Sequence, residues 1–225
     1  YILIFNEIFS LFSPNKKKGL LDGTGFVSED NEKPDKILLT DDVFFSVFPN
    51  SLSHSIYRTF ELNLFSNIKI IKNFKIVEIG CGDGSFASLL PFKVDIGVDS
   101  DQEVLELAKK RKVYNSCINN TEDNFDKNLY ADVIISISVL EHVEDVRKLL
   151  KQIFSISKEH TKIYISVPIS NLFKLTHDIF GAKESKRLQS SMKVVNIFSE
   201  DEWKFLFSST GFKVISEKKF LGKKA

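Results

Sequence analysis

Cysteine is scarce: Cys81 and Cys117 are the only two in the chain, and their number and spacing set up neither a disulfide framework nor a metal-ligand pattern. A reducing, cytoplasmic setting without a metal site is the expectation. An excess of one charge is also missing. With 31 Lys and Arg against 30 Asp and Glu, the formal net charge is +1, too small for a nucleic-acid groove. The local clusters at residues 16–18 and at Lys218, Lys219, Lys223 and Lys224 read as solvated faces. Long apolar runs are absent as well, since the longest candidate covers residues 133–140, well short of the ~18 that a membrane span needs. The opening stretch YILIFNEIFSLF lacks the basic start and small-residue cleavage site of a signal sequence, and is expected to be a helix packed on the body. Methionine occurs once, as Met192, so the chain is expected to be a fragment or a trimmed product.

What is present describes a packed globular protein: 43% hydrophobic and 27% charged residues over 225 positions, enough for one α/β core with decorations. From residue 74 onward, Ile- and Val-rich runs alternate with helical patterns, as in a parallel sheet with crossover helices. Strands are predicted at 74–79, 94–98, 113–118, 132–138, 162–167 and 212–219. Ser100 with Glu103 has the form of a capping box opening a helix to Lys110, and Ser199 with Glu202 repeats it for a helix ending at Gly211. A third helix is predicted over 143–157. Residues 1–68 read as an N-terminal cap, helical only near SLSHSIYRTFELNLF, and residues 169–198 as an irregular insert after the fifth strand.

The chemistry concentrates in VEIGCGDGSF, residues 77–86. Gly80, Gly82 and Gly84 open a strand-to-helix turn to close backbone approach by a ligand. Asp99 ends the next strand, where an acid can accept both ribose hydroxyls; the alternative is a charge favouring a helix N-terminus. A dinucleotide loop would place its third glycine at position 85, which is Ser85 here. Glu78, a carboxylate just ahead of the loop, suits a cationic ligand better than a pyrophosphate.

These residues resemble the class I S-adenosylmethionine-dependent methyltransferases, in the type 11-like branch whose first motif reads E-x-G-C-G-x-G. Over residues 74–220 the pieces VEIGCGDG, GVDSD, SISVLEHVED, VP and SEDEWKFLFSSTGFKV follow in family order. The resemblance implies a doubly wound, Rossmann-like, mostly parallel sheet over 69–225, carrying the N-terminal cap and the substrate-side insert. It implies S-adenosylmethionine as cofactor and S-adenosylhomocysteine as product. Glu78, Gly80, Cys81, Gly82 and Gly84 would surround the methionine and sulfonium part, Asp99 the ribose and Ser100 the adenine. Asn120 falls where the family commonly has an acid for the adenine amino group, Thr121 offers a backbone N–H, and Ser138 belongs to the cofactor wall. The Pro-Gly-Gly turn before the fifth strand is replaced by SKEHTK. The family's seventh, antiparallel strand has no segment left after the sixth.

Methyl transfer needs chiefly positioning, with a base where the nucleophile must lose a proton. In VLEHVED, His142 is the first candidate for that base or for orienting the acceptor, with Glu141 beside it; capping of the next helix is the plain alternative. His177 stands second. His54, Arg58 and Glu61 share a helical face. Arg58 and Glu61 read first as a solvated ion pair, and Arg58 second as a holder of a carboxylate. Phe173 and Phe180 are expected to close the pocket. The expected activity is O-methylation of a small-molecule or glycan-type acceptor, as in surface-polysaccharide assembly, with no nucleic-acid partner. The alternatives are a non-catalytic adenosyl-ligand-binding scaffold and, disfavoured by the glycine spacing, a nicotinamide oxidoreductase.

Overall fold

In the computed structural model the described residues are 2–7, 52–120 and 129–220, with side chains of 2–7, 52–57, 175, 219 and 220 outside the description. Seven strands form one sheet in the order β4-β3-β2-β5-β6-β1-β7. They are β1 (Ile2–Glu7), β2 (Ile76–Ile79), β3 (Ile96–Asp99), β4 (Ser116–Asn119), β5 (Ala131–Ile137), β6 (Ser157–Val167) and β7 (Val214–Phe220). Every neighbouring pair is parallel, so the doubly wound reading holds. The chain runs outward from β2 to β4, then crosses back to β5 on the other side of β2. That reversal leaves a crevice at the carboxyl ends of β2 and β5.

Alternation along the strands feeds two cores, one on each face. Val77, Ile79, Ile134, Ile163 and Ile165 point to the face covered by α3 (Val146–Ser155) and α6 (Glu200–Ser209), where Trp203, Phe207 and Leu150 are fully buried. Ile76, Val133, Ile135 and Tyr164 point to the other, under α1 (Leu52–Ser66) and α2 (Gln102–Arg111), with Leu62, Phe65 and Leu105. Strands buried on both faces are near-continuously apolar, as in the sequence of β5.

Four local expectations are corrected. Residues 2–7 form a strand, not a helix; they lie between β6 and β7 and pair with both. The place next to β6 is thus taken by a parallel strand from the other end of the chain, not by an antiparallel one following β7. The cap of α2 is Asp101, whose carboxylate accepts from Glu103 N and Val104 N, not Ser100. The insert is not irregular but a pair of helices, α4 (Ser170–Phe180) and α5 (Ala182–Met192). The capping box at Ser199 and Glu202 is present on both sides, and Gly211 follows the helix with φ 98°. In place of a Pro-Gly-Gly turn, β6 runs back to Ser157, and the Thr161 hydroxyl donates to Ala131 O while accepting from Lys158 N.

Candidate active site

The crevice is walled by the loops leaving β2, β3 and β5 and by Asn120 just after β4. After β2, Gly80, Gly82 and Gly84 all have positive φ, at 74°, 53° and 77°, a region that L side chains adopt only at a cost. Their roles differ. A Cβ on Gly80 would lie 2.3 Å from Val139, and one on Gly84 would lie 2.8 Å from Val113, whereas one on Gly82 would meet nothing within 4 Å. Gly82 therefore faces the open crevice, and the other two let the loop pack on its neighbours. Gly80 N and Cys81 N both donate to Val98 O. From α2, Arg111 pins the loop, with Nη2 2.6 Å from Asp83 Oδ2 and Nε donating to Asp83 O. The loop leads into a three-residue 3-10 turn, Ala87–Leu89, too short to offer a helix macrodipole.

Asp99 closes the second wall. Its Oδ2 accepts from Gly82 N at 2.8 Å and its Oδ1 from Asp101 N at 3.0 Å. Each carboxylate oxygen keeps a second acceptor site, so two vicinal hydroxyls can still donate here. At the end of β4, Asn120 N donates to Asp99 O, while the buried Asn120 Oδ1 finds no hydrogen-bond partner among the described residues. A buried acceptor of that kind fits a donor from a ligand. Ser100 is exposed, its carbonyl accepting from Asn119 Nδ2; Thr121 lies outside the described residues.

Glu78 is buried, on the face of α1 and α2. Burial raises its pKa to about 8, against the Tyr114 hydrogen bond and the Arg58 charge, which lower it, while Asp99 pushes it up. Tyr114 Oη donates to Glu78 Oε2 at 2.8 Å. This contact has a remote cause in Gly97, opposite Glu78 in β3: a Cβ there would lie 2.9 Å from both the Tyr114 ring and Cys81 Sγ. Glycine weakens a strand interior; here it leaves the space that lets tyrosine reach the carboxylate. Burial also pushes the Cys81 thiol up, so it stays protonated.

The fourth wall is the loop after β5. Ser138 has φ 54° and donates to Glu61 Oε1 at 2.9 Å. Ser166 Oγ donates to the same oxygen, and Arg58 Nη1 lies 2.6 Å from Glu61 Oε2. Glu61 is fully buried, so the Arg58–Glu61 pair is no solvated surface bridge; it ties α1 to the ends of β5 and β6. The Arg58 guanidinium lies 5.8 Å from the Phe86 ring centroid, over the glycine-loop side.

His142 and Glu141 lie in a 3-10 turn, Leu140–His142. His142 Nδ1 is 3.0 Å from Lys193 O; a carbonyl only accepts, so Nδ1 carries the proton and Nε2 is left as an acceptor. Nε2 lies 3.7 Å from Glu141 Oε1. Glu141 is buried, its Oε2 has no partner among the described residues, and burial lifts its pKa to about 8, with backbone hydrogen bonding opposing and Glu61 adding. The stretch after α5 is clasped to this turn, since Val195 N and Asn196 N donate to Glu141 O and Asn196 Nδ2 donates to Leu140 O and Val143 O.

The topology puts Glu78, the glycine loop, Asp99, Asn120 and Ser138 at or just beyond the carboxyl ends of β2, β3, β4 and β5, and Glu141 and His142 in the turn that follows β5. His177 is exposed on α4 beside Asp178, 3.5 Å away, and the His54 side chain lies outside the described residues. Phe173 is buried while Phe180 is exposed at the far end of α4, so they do not close one pocket together. Tyr114, Gly97 and the buried setting of Glu61 carried no local sequence signal.

Three comparisons bear on this site. The profile of a family described as a methyltransferase domain matches residues 13–217. The chain is 31% identical over 142 residues to uncharacterized protein MJ1123 of Methanocaldococcus jannaschii, covering 62% of this chain and 64% of that one. It is 26% identical over 140 residues to the ubiquinone biosynthesis O-methyltransferase of Pelagibacter ubique, covering 59% and 57%. The match therefore spans less than two thirds of either relative's length. Among solved structures, the plantazolicin methyltransferase BpumL, in complex with a pentazolic desmethylPZN analog and SAH, shares the fold with a TM-score of 0.52 at 20% identity, over 75% of this chain and 73% of that chain.

Proposed function

The chain belongs to this family of methyltransferase domains, and from that premise we propose that it transfers a methyl group from S-adenosylmethionine to an oxygen of a small-molecule or glycan-type acceptor. The cofactor supplies an electrophilic methyl group on a sulfonium. The observation that carries the reading is the convergence of unlike groups at the carboxyl ends of three adjacent strands: a buried carboxylate (Glu78), a glycine facing open space (Gly82), a diol acceptor (Asp99) and an amide oxygen without a partner among the described residues (Asn120). A cationic tail, a ribose and an adenine amino group ask for that set in that order.

Within this reading, Glu78 balances the positive charge of the amino-acid tail, Asp99 accepts from the ribose hydroxyls, and Asn120 Oδ1 accepts from the adenine amino group. Gly80, Cys81, Gly82 and Gly84 shape the wall with Ser138; Ser100 and the backbone of Thr121 belong to the adenine side. His142 Nε2 takes the acceptor hydroxyl proton, with the buried Glu141 carboxyl beside it at 3.7 Å. Positioning supplies most of the acceleration, up to ~7–11 kcal/mol for well-oriented reactants. Residues 169–198 act as a substrate-side segment, with surface-polysaccharide assembly as the setting.

Incubation with methyl-labelled S-adenosylmethionine and fractionated cell extract tests this. A labelled product identified as an O-methyl ether supports it. Retained cofactor binding with no labelled product in any fraction would replace the enzyme with a ligand-binding scaffold.

A further inference from the structure

Glu61, Glu78 and Glu141 are all buried, and only Glu61 has no part in the reading above. It lies on α1, held by groups from three elements. Its Oε2 pairs with Arg58 Nη1 at 2.6 Å on the same helix, and its Oε1 accepts from Ser138 Oγ at 2.9 Å and from Ser166 Oγ of β6. An ion pair with a buried member gains little net stability over apolar side chains of similar volume, because lost hydration offsets the attraction. What two hydroxyls and a guanidinium on one carboxylate do fix is a position. Ser138 is the residue positioned. Its φ of 54° lies where an L residue carries strain, and it is held twice, by Oγ on Glu61 and by its backbone N donating to Ser166 O at 3.1 Å. The chain then runs straight into the site. Val139 fills the space that a Cβ on Gly80 would take, and its carbonyl accepts from His142 N at 2.9 Å, closing the 3-10 turn of Glu141 and His142. Glu61 is also near enough to act on Glu141: burial lifts the Glu141 pKa most, and the Glu61 charge adds to the rise.

One joint, Ser138–Val139, thus touches the glycine loop on one side and leads into the candidate base on the other, and α1 grips it. We propose that Glu61 is a positioning residue which, through the Ser138–Val139 joint, sets the glycine loop at Gly80 and the Glu141–His142 turn in register with each other. It acts through Ser138 and not on the reacting atoms. The consequence for turnover rests on the methyltransferase reading; the mutual placement of the two loops does not. A clasp that merely stabilised the fold would let an apolar side chain of similar size replace Glu61, whereas a positioning one needs the acceptor oxygen.

Three variants of the full chain test the proposal. Glu61→Gln keeps an acceptor oxygen of the same reach, Glu61→Leu fills the same space without one, and Ser138→Ala removes a single hydroxyl from the clasp. Amide spectra by two-dimensional NMR read the placement with no acceptor present. Glu61→Leu and Ser138→Ala should shift the Gly80 and His142 amide resonances together. The Trp203 indole N–H, which donates to Pro168 O in the other core, should stay where it is in the parent. Glu61→Gln should leave all three near their parental positions. With methyl-labelled S-adenosylmethionine and the extract fraction that the parent methylates, Glu61→Leu should lower turnover up to ~100-fold, as a small misplacement of reacting groups can, and Glu61→Gln should restore most of it. A parent that labels nothing would sink the methyltransferase reading and leave the spectra to decide this one. If Glu61→Leu loses the Trp203 signal by unfolding, Ser138→Ala decides by the same two resonances. Gly80 and His142 resonances unmoved in the folded variants, a leucine variant as active as the parent, or a glutamine variant no better than the leucine one would each overturn the assignment.

Discussion

Replacing Glu78 by Gln should remove most of the pH dependence of cofactor binding. Burial lifts the Glu78 pKa to about 8, so at pH 7 about nine tenths of the unliganded protein carries a proton there. A cationic tail beside the carboxyl favours its ionised form, so binding must expel that proton, about 0.8 to 0.9 per site at pH 7. Well below pH 8 each pH unit then costs about 1.4 kcal/mol of apparent affinity and less close to pH 8, so S-adenosylmethionine should bind about fiftyfold tighter at pH 8 than at pH 6. Calorimetry in buffers of different ionisation enthalpy reads both quantities. Stability runs the opposite way in the free protein. The folded pKa lies above the unfolded one, so the contribution is whole below the usual carboxyl range and is lost as pH rises to about 8; the thermal midpoint should fall over that window. Glu78→Gln is neutral throughout and should flatten the binding curve, while Glu141, raised by its own burial, remains to titrate. Affinity independent of pH from 6 to 8 with no proton released, or an unchanged slope in the variant, would refute the pairing of Glu78 with a cation.

Asp99→Ala should weaken S-adenosylmethionine binding by ~1–3 kcal/mol, the usual loss for a charged hydrogen-bonding group; unchanged calorimetric affinity would remove Asp99 from the site. For His142→Ala, turnover should drop by ~10²–10⁴ with cofactor affinity retained, and parental turnover in a steady-state assay would retire it as the base. Gly80→Ala sets a methyl 2.3 Å from Val139 and should destabilise the fold by ~1–3 kcal/mol in urea. Gly82→Ala, open to the crevice, should lose only ~1 kcal/mol of stability but a larger share of cofactor affinity; the reverse order would contradict the assignment of Gly82 as the ligand-facing glycine.

The strands and the glycine loop were legible because their signals are local. Burial on both faces makes β5 a mostly apolar run, and the capping box from Ser199 to Glu202 is specified within four residues. Illegible features depend on distant residues. Nothing near Tyr114 announces a partner in β2, and Gly97 reads as one more glycine until the ring is seen occupying its place. Arg58 and Glu61 have the spacing of a surface pair; their burial follows from α1 lying against the ends of β5 and β6. Two adjacent acids or hydroxyls compete for a helix start, and at α2 Asp101 prevails because Asp99 already accepts from its backbone N–H.

The position of β1 sets an order of assembly. Ile2 pairs with Ile163 on one side and with Val214 on the other, so β1 has no neighbour in the sheet until β6 has been made. Closing such a span carries an entropic penalty that grows slowly with length but must be met before any pairing rewards it. The last strand in turn joins the sheet only through the first. β1 and β7 therefore lock in as a single late event, and a nascent chain halted before β6 would leave β1 without a partner in the sheet.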